Sequence, residues 1–375
     1  MKKVTRFLKN DPVLAAAWLL ALVSFAFVPP DGQTLSAIDW RSLGILWSLM
    51  VIVAGLSREG VFEGIGHVVL SRAKTFGGLA FLLVFLCFFA AMLITNDVVL
   101  ITFVPFALLI LKDAGQEEKI LPVVVCQTIA ANLGSMLTPI GNPQNLYLFG
   151  KMNVSAAAFI GIVWPYAAVS AVLLATVLAF LPGRKDALPR RKESAPVPVV
   201  PGGSGRRRVI LYLVLFGVSL LAVLRVIPWP AAPLAVLVVF AAADKKALLR
   251  VDYGLLLTFI GFFLFTGNLG RMDAVRDTLR HLVGGREVLT AVLASQVISN
   301  VPAALLLSGF AQDLPGLLVG VNIGGLGTLI ASMASLISWK AFTAVYPEKK
   351  GRYLLWFTAA NLGFLGALIL TAALL

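Results

Sequence analysis

The residues best suited to chemistry in this chain are amides, hydroxyls and one carboxylate that interrupt long apolar runs. The largest interruption extends from Asn132 to Asn145, where two glycines and two prolines stand among amide side chains. Proline lacks the backbone donor of a helix interior, and glycine lowers helix propensity. In hydrocarbon each freed backbone group costs several kcal/mol unless protein, water or an ion satisfies it. The stretch predicts a broken helix lining a cavity, although Gly-Asn-Pro is also typical of an ordinary turn.

A single acidic residue stands inside another apolar run. Residues 76–111 are apolar for too long to form one membrane helix, and Thr95-Asn96-Asp97 interrupts them near the middle. This predicts a helical hairpin that enters and leaves the membrane on one side. An ionisable side chain in a membrane costs about 2.5–3.5 kcal/mol on insertion scales and marks a functional site. Asp97 is therefore a candidate for the coupling ion, and the alternative is that it caps the helix that follows.

A comparable interruption, Ser299-Asn300, lies within the apolar run 287–312 and predicts a second hairpin. Hydroxyls here could instead bond within their own helices, and the glycines after Asn322 could serve helix packing. The side chains that we expect to bind a solute are Thr95, Asn96, Asn145, Ser299, Asn300 and Thr328. The residues that we expect to hold a coupling ion, H⁺ or Na⁺, are Asn96, Asp97, Gly134, Thr138 and Asn142.

No catalytic residue, cofactor or metal site is predicted. The apolar runs contain no paired carboxylates, no Ser/His pair and no Cys/His cluster, which argues against an intramembrane enzyme. The chain also has no phosphate-binding loop, which argues against a primary pump. Secondary transport is the function class that these observations favour.

The bulk composition is that of a polytopic membrane protein. Hydrophobic residues make up 59% of the chain and charged residues 13%, whereas soluble proteins have about a quarter charged residues. The net charge of +13 would suit a nucleic acid, but the basic residues cluster in short loops, as orientation signals do. We therefore expect an all-α protein whose partners are the lipid bilayer and a small solute, and no nucleic acid. A homodimer is left open.

Apolar runs of about 17–25 residues, long enough to cross the hydrocarbon core, divide the chain into two halves. Residues 183–208, rich in Arg, Lys, Pro and Gly, predict a cytoplasmic basic linker between them. The first half, 1–182, is expected to contain spans 12–28, 40–57 and 156–181, the hairpin 76–111 and the broken helix 119–149. The second half, 209–375, is expected to contain spans 209–227, 229–243, 251–269 and 353–375, the hairpin 287–312 and the broken helix 314–337. With the two broken helices counted as crossings, these predict nine complete spans and two re-entrant hairpins.

The basic residues predict which side each loop faces. With the N-terminus in the cytoplasm, the inside loops hold 24 of the 31 Lys and Arg residues, as positive-inside statistics favour. In that arrangement span 40–57 runs inward and its counterpart 251–269 runs outward.

Ordered polar matches show that the two halves repeat each other. Thr95-Asn96 matches Ser299-Asn300, and Asn132-Leu133-Gly134-Ser135 matches Asn322-Ile323-Gly324-Gly325. Because matched spans run in opposite directions, we predict inverted-topology repeats whose hairpin tips and broken helices meet near the midplane.

These motifs resemble those of a known superfamily over nearly the whole chain beyond the first span. The stretch from Thr95 to Pro105 resembles the Asn-Asp motif of arsenite permeases. Ser299-Asn300 with Gly324-Gly325-Leu326-Gly327-Thr328 resembles the ion transporter superfamily, which includes citrate-transporter-like permeases, divalent-anion symporters and sodium/proton antiporters. The resemblance implies a secondary transporter of the cell inner membrane for a small anion or oxyanion-like solute, coupled to H⁺ or Na⁺. Arsenite/antimonite-type transport is favoured. The alternatives are Na⁺-coupled uptake of di- or tricarboxylates or sulfate, and Na⁺/H⁺ antiport.

The orientation can be tested by labelling single cysteines placed in the 183–208 linker. We expect a membrane-impermeant maleimide to label them from the cytoplasmic face only, because the eight basic residues of this range disfavour translocation. Labelling of intact cells from outside would contradict the topology.

Overall fold

The computed structural model describes residues 12–70, 73–188 and 204–375, which fold into eighteen α-helices and four short 3₁₀ turns. An isolated bridge between Thr75 and Ala187 is the β contact found in these ranges. This confirms the all-α class. In chain order the helices are α1 Pro12–Ser24, α2 Trp40–Arg58, α3 Val61–Leu70, α4 Phe76–Ala90, α5 Asn96–Asp113, α6 Ile120–Ser135, α7 Pro143–Met152, α8 Ala156–Ala179, α9 Ser204–Val223, α10 Ala231–Ala243, α11 Lys245–Leu248, α12 Tyr253–Gly270, α13 Asp273–Val283, α14 Glu287–Ile298, α15 Asn300–Leu307, α16 Leu314–Ile323, α17 Met333–Val345 and α18 Lys350–Leu374.

Four of the described helices are long and apolar enough to cross a bilayer: α2, α8, α12, and α18 with the turn that precedes it. This is consistent with a polytopic membrane protein, while the count of nine spans stays a prediction. The helix α9 begins at Ser204, inside the range predicted as linker, because its three consecutive arginines are good helix formers. The remainder of that linker, 189–203, lies outside the described residues.

Polar side chains fix where several of these helices begin. The Asp39 carboxylate accepts a hydrogen bond from the backbone N–H of Ser42 and caps α2, and Asp252 caps α12 in the same way through Leu255. Both α7 and α16 have a proline in their first turn, where the missing N–H would be unpaired anyway. Short local motifs in the sequence thus determine where these helices begin.

One group of helices is formed by α1, α2, α9, α10 and α12. The helix α1 lies along α12, where Ala17 packs closely on Gly261 and the Asn268 amide donates to the Ser24 hydroxyl over 2.8 Å. At the end of α2, Gly55 leaves room for the stacked rings of Tyr212 and Phe240. We call these five helices the first bundle.

The first bundle is also tied together by ion pairs at its ends. The Arg58 guanidinium at the end of α2 pairs with the Asp244 carboxylate. At the other end, hydrogen bonds from the Arg271 guanidinium hold the pKa of Asp31 below its ordinary value. These contacts join segments that are far apart in sequence.

A second group of helices surrounds the two interruptions. It contains α4, α5, α6 and α8 from the first half and α14 to α18 from the second. The helices α4 and α6 pack along each other, and α5 packs against α17, so the two halves are intermixed. We call this group the second bundle. The short helix α7 lies between the bundles, in contact with α2 on one side and with α15 and α16 on the other.

The two helices of the second hairpin are short. The arms α14 and α15 have 12 and 8 residues, which correspond to about 18 and 12 Å. Neither could cross a hydrocarbon core about 30 Å thick. Their lengths are consistent with a hairpin that returns to the side from which it came.

Gly134 marks the closest approach of two helices in the second bundle. A Cβ built on Gly134 would lie 2.1 Å from the backbone oxygen of Phe88, a separation that a real carbon cannot adopt. The position therefore needs glycine for packing.

We expect Gly134→Ala to lower the free energy of unfolding by about 1–3 kcal/mol, because α4 and α6 must separate to admit the methyl group. The matched control is Gly161→Ala in α8, where nothing lies within 4 Å of the added carbon. Melting curves of the purified variants compare the two. Equal melting temperatures would show that the α4–α6 contact is not tight.

Candidate functional site

The first interruption is the segment 136–142, between α6 and α7, and one amide holds its backbone. The Asn145 Nδ2 donates to the carbonyl oxygens of Ser135, Met136 and Thr138 over 3.3, 3.0 and 3.0 Å. Asn145 is fully buried. Its amide therefore gives these carbonyls the hydrogen bonds that water would give them at a protein surface. Asn145 was predicted to bind solute, and the structure uses its Nδ2 to hold the break.

Asn142 and Asn145 also connect the break to the second half of the chain. Asn142 caps α7 through the Asn145 N–H, and its Nδ2 donates to the Asn322 Oδ1 over 3.0 Å. The Asn322 Nδ2 donates in turn to the Asn145 Oδ1 over 2.7 Å. Two amides of the first half and one of the second thus close a ring of hydrogen bonds in the protein interior.

A second group of contacts joins the first hairpin to α17 through Asn132. The Asn132 Oδ1 accepts hydrogen bonds from the Asn96 Nδ2 and from the Ser332 hydroxyl, both over 3.0 Å. Its Nδ2 lies 3.4 Å from the Ser335 oxygen. The Asn96 Oδ1 is buried and has no partner among the described residues, so it is free to accept from a ligand.

These side chains form one connected system, because Ser135 bonds both to the Asn132 carbonyl and to the Asn142 amide. We call it the amide network. Its members are Asn96, Asn132, Ser135, Asn142, Asn145, Asn322, Ser332 and Ser335. None of the hydrogen bonds that hold these described side chains comes from a lysine or an arginine. The network therefore offers neutral donors and acceptors.

The second interruption, residues 324–332, lies between α16 and α17 and is held by Gln296. The Gln296 Nε2 donates to the carbonyls of Gly324 and Leu326 over 3.0 and 2.9 Å. Its Oε1 accepts from the backbone N–H of Thr328. Gln296 was not among the predicted site residues. The available signal was a lone amide in the apolar run of α14.

The two threonines of the interruptions make equivalent hydrogen bonds. The Thr138 hydroxyl donates to the Met92 carbonyl over 2.5 Å, and the Thr328 hydroxyl donates to the Gln296 carbonyl over 3.1 Å. Met92 and Gln296 each stand three residues before the hydroxyl residue of their hairpin tip. Both threonine hydroxyls therefore fasten a break to the first arm of its own hairpin.

The tip of the second hairpin lies beside the second interruption. Ser299 has a φ of +72°, which is uncommon for a residue with a side chain and turns the chain sharply between α14 and α15. The Asn300 Nδ2 lies 2.8 Å from where a Cβ of Gly325 would stand, so glycine is needed to admit the amide. The structure groups Ser299, Asn300 and Thr328 around this break. None of the three takes part in the hydrogen bonds of the amide network.

Asp97 lies in the first turn of α5, next to Asn96. Helix α5 is capped by Thr95, so the alternative that Asp97 is the N-cap is wrong. Asp97 is partly buried, and no described residue donates a hydrogen bond to its carboxylate. The Asp252 charge acts on it repulsively. A carboxylate without a hydrogen-bond partner, next in sequence to a buried amide, can accept a cation or a proton.

Gly134 and Thr138 were predicted to hold the coupling ion. The Gly134 carbonyl accepts a hydrogen bond from the Leu137 N–H over 3.2 Å, and the Thr138 hydroxyl is bonded to Met92. The described contacts thus engage both residues in holding the first break. Binding of an ion by either one stays a prediction.

We expect Asn322→Ala to destabilise the protein, because it leaves the buried Asn145 Oδ1 without a partner and removes one of the two acceptors of the Asn142 Nδ2. A buried polar atom without a partner costs about 1–3 kcal/mol. The control is Asn361→Ala in α18, where the equally buried amide bonds only the Phe357 carbonyl of its own helix and its Oδ1 has no partner. Melting temperatures of the two purified variants test the difference. If Asn361→Ala costs as much as Asn322→Ala, the ring of amides does not stabilise the fold.

Comparison with known proteins places this architecture in a family. The family model for the citrate transporter matches residues 4–315. An uncharacterised transporter of Methanocaldococcus jannaschii is 32% identical over 319 residues, which are 85% of each chain. The inner membrane protein YbiR of Escherichia coli is 30% identical over 338 residues, 89% of this chain and 88% of that one. The silicon efflux transporter LSI3 of Oryza sativa subsp. japonica is 29% identical over 147 residues, 39% of this chain and 30% of the relative. With most of its length matched, the chain belongs to the citrate transporter family of membrane transporters.

Proposed function

We propose that the protein is a secondary active transporter that moves a small anion or oxyanion-like solute across the cell inner membrane, coupled to H⁺ or Na⁺. The observation that carries this proposal is the amide network, which joins two interrupted helices and a hairpin tip from both halves of the chain. Discontinuous helices meeting in the interior are the binding device of many secondary transporters. The cytoplasmic N-terminus and a homodimer are parts of the proposal that await their own tests.

The neutral character of the network favours a solute that carries hydroxyl groups or a delocalised charge. Amide and hydroxyl groups can both donate to and accept from an oxyacid such as arsenite or antimonite. LSI3 is named as a silicon efflux transporter. Silicon, like arsenic, forms a neutral oxyacid in water. We therefore favour arsenite/antimonite-type transport for this chain.

A second candidate solute class is di- or tricarboxylates or sulfate, taken up with Na⁺. The name of the matched family, citrate transporter, favours a tricarboxylate within this class. Such a solute would bring more than one negative charge to a site whose hydrogen bonds come from neutral groups. Burial of uncompensated charge is costly, so this solute would need bound cations beside it. Na⁺/H⁺ antiport is the further alternative, in which Asp97 alone would carry the exchanged ion.

Asp97 supports the coupling role in this proposal. Its carboxylate has no hydrogen-bond donor among the described residues, and the buried Asn96 Oδ1 next to it in sequence also has no partner. Carboxylate and amide oxygens are hard ligands that suit Na⁺ or exchange a proton. The equivalent position of the second hairpin is Val301, so we propose that coupling is concentrated in the first half.

Equivalent contacts in both halves support a mechanism of alternating access. The Thr138–Met92 and Thr328–Gln296 hydrogen bonds occupy corresponding positions, as inverted repeats would produce. Two bundles that meet at α7, and where α12 packs on α15, also provide two bodies that can shift against each other. We propose that the second bundle carries the solute past the first.

The proposal is tested in proteoliposomes by counterflow with arsenite, citrate and sulfate, and by Na⁺ or pH gradients without nucleotide. We expect Asp97→Asn to retain counterflow but to lose accumulation of the solute against a gradient, because the neutral amide cannot take up the coupling charge. Asp113→Asn is the matched control, since Asp113 is exposed at the far end of the same helix.

Asn300→Ala should raise the solute concentration for half-maximal exchange while part of the coupling survives.

Normal accumulation by Asp97→Asn vesicles would remove the carboxylate from the coupling mechanism. Exchange of none of these solutes, together with Na⁺/H⁺ exchange that depends on Asp97, would establish the cation-only alternative. Solute flux that requires ATP would overturn secondary transport altogether.

A further inference from the structure

Three basic side chains from separate parts of the chain converge at the C-terminal end of α7. The Arg225 guanidinium, from the loop after α9, donates to the Phe149 carbonyl over 3.0 Å and lies over the Phe149 ring at 5.2 Å from the centroid. Arg41, from the first turn of α2, places its Nη1 2.9 Å from where a Cβ of Gly150 would stand. Lys151 belongs to α7 itself. We call Arg41, Lys151 and Arg225 the α7 basic cluster.

The positive charge of this cluster is not balanced nearby. None of the three residues forms an ion pair with a described acidic residue. The acidic residue whose charge acts on both Arg41 and Lys151 is Asp39, and its two carboxylate oxygens already accept from the Ser42 N–H and hydroxyl. Three positive charges therefore face one negative charge, and the Arg41 and Arg225 charges repel each other.

Part of the cluster has a structural task, and part of it is free. Arg225 caps α7, because it bonds the carbonyls of Phe149, Gly150 and Val154. Arg41 uses Nη2 for the Val223 carbonyl, and its Nη1 has no acceptor among the described residues. Lys151 makes long contacts of 3.4 Å to the hydroxyls of Tyr147 and Ser308, and its ammonium lies over the Tyr147 ring at 5.8 Å from the centroid. Free donors thus remain on two of the three cations.

The surroundings of Lys151 are those of a polar site. The Tyr147 and Ser308 oxygens lie 2.8 Å apart and are buried, so an ammonium and two hydroxyls meet between α7 and the end of α15. The same ten-residue helix begins at the amide network, which places the two ends about 15 Å apart. One short helix therefore connects the interior network to a cationic cluster.

We propose that the α7 basic cluster is a second anion-binding site, which takes a carboxylate, sulfate or phosphate group from solution or from a lipid headgroup. An anion there would accept hydrogen bonds from the Lys151 ammonium and the free nitrogen of Arg41 while Arg225 holds the end of the helix. We infer that the transported solute binds at this site before it reaches the amide network. This role rests on the proposed transport function, whereas binding of an anion does not.

The site is tested by the reactivity of a cysteine placed beside it, with purified full-length protein in lipid nanodiscs. The reporter is Asn153→Cys, an exposed position two residues after Lys151, and Ser155→Cys is a second reporter in case the first does not fold. The native Cys87 and Cys126 are buried and give little background. Each reporter is reacted at low salt with an anionic and with a cationic methanethiosulfonate reagent.

We expect the anionic reagent to react faster than the cationic one, and Lys151→Gln to remove most of this preference. One unit charge at about 6 Å in water changes the energy of each reagent by about 0.7 kcal/mol, about threefold in rate, so the ratio of the two rates falls about tenfold. The matched control is Arg280→Gln, which removes one exposed charge from α13, a helix that contributes no residue to the cluster, and should leave the ratio unchanged.

Two versions of the experiment distinguish an anion from solution from a lipid headgroup. In phosphatidylcholine nanodiscs, sulfate or citrate should slow the anionic reagent more than chloride does at the same ionic strength, and Lys151→Gln should abolish this protection. Protection by added phosphatidylglycerol, with no further effect of sulfate or citrate, would assign the site to a lipid headgroup.

A rate ratio that Lys151→Gln leaves unchanged would overturn the proposal, as would the absence of protection by every anion tested. The measurement requires no transport. A chain that protects its reporter but exchanges no solute would therefore keep the anion site and lose the proposed function.

Discussion

The structure depends on satisfying the backbone of two helices that stop inside the protein. Each interruption frees carbonyl and N–H groups that water would bind in a soluble protein, and one side-chain amide takes the place of water at each. Asn145 holds three carbonyls of the first break, and Gln296 holds two carbonyls and one N–H of the second. Without these amides the breaks would be expensive in an apolar surrounding. The positions of α7, α17 and both hairpins follow from them.

The amides that hold the two breaks come from different elements, and this determines which break is bonded to the other half of the chain. Asn145 follows the break that it holds and is part of α7, whereas Gln296 reaches its break from the neighbouring hairpin. The first break is therefore stabilised locally and leaves Asn142 and Asn145 able to bond Asn322 of the other half. The second break depends on how its hairpin packs. A displacement of α14 would release carbonyls at Gly324 and Leu326, whereas the first break would stay closed.

Composition and local pattern predicted the all-α class, and glycine and proline stand where α6 gives way to α7. The second break was harder to read from sequence, because it lacks a Gly/Pro pair. The chain there turns instead at Gly327, whose φ is +105°. The sequence did not identify the hydrogen-bonding roles of Gln296, Ser332 and Ser335. Their partners are remote in the chain, and a single amide or hydroxyl in an apolar run forms no repeating pattern. The intermixing of the two halves in one bundle is likewise a property of packing, which hydropathy does not encode.

The ring of Asn142, Asn322 and Asn145 restricts how relatives of this protein can diverge. The Asn142 and Asn322 side chains each donate to one member of the ring and accept from another, so replacing either leaves two groups mismatched. Asn145 takes part through its side-chain Oδ1 and its backbone N–H. Substitutions at these three positions should be strongly epistatic and should appear together or not at all. Thr95, by contrast, caps α5 without a side-chain hydrogen bond to it. New solute preferences would therefore evolve most readily at the hairpin tips, around a conserved ring.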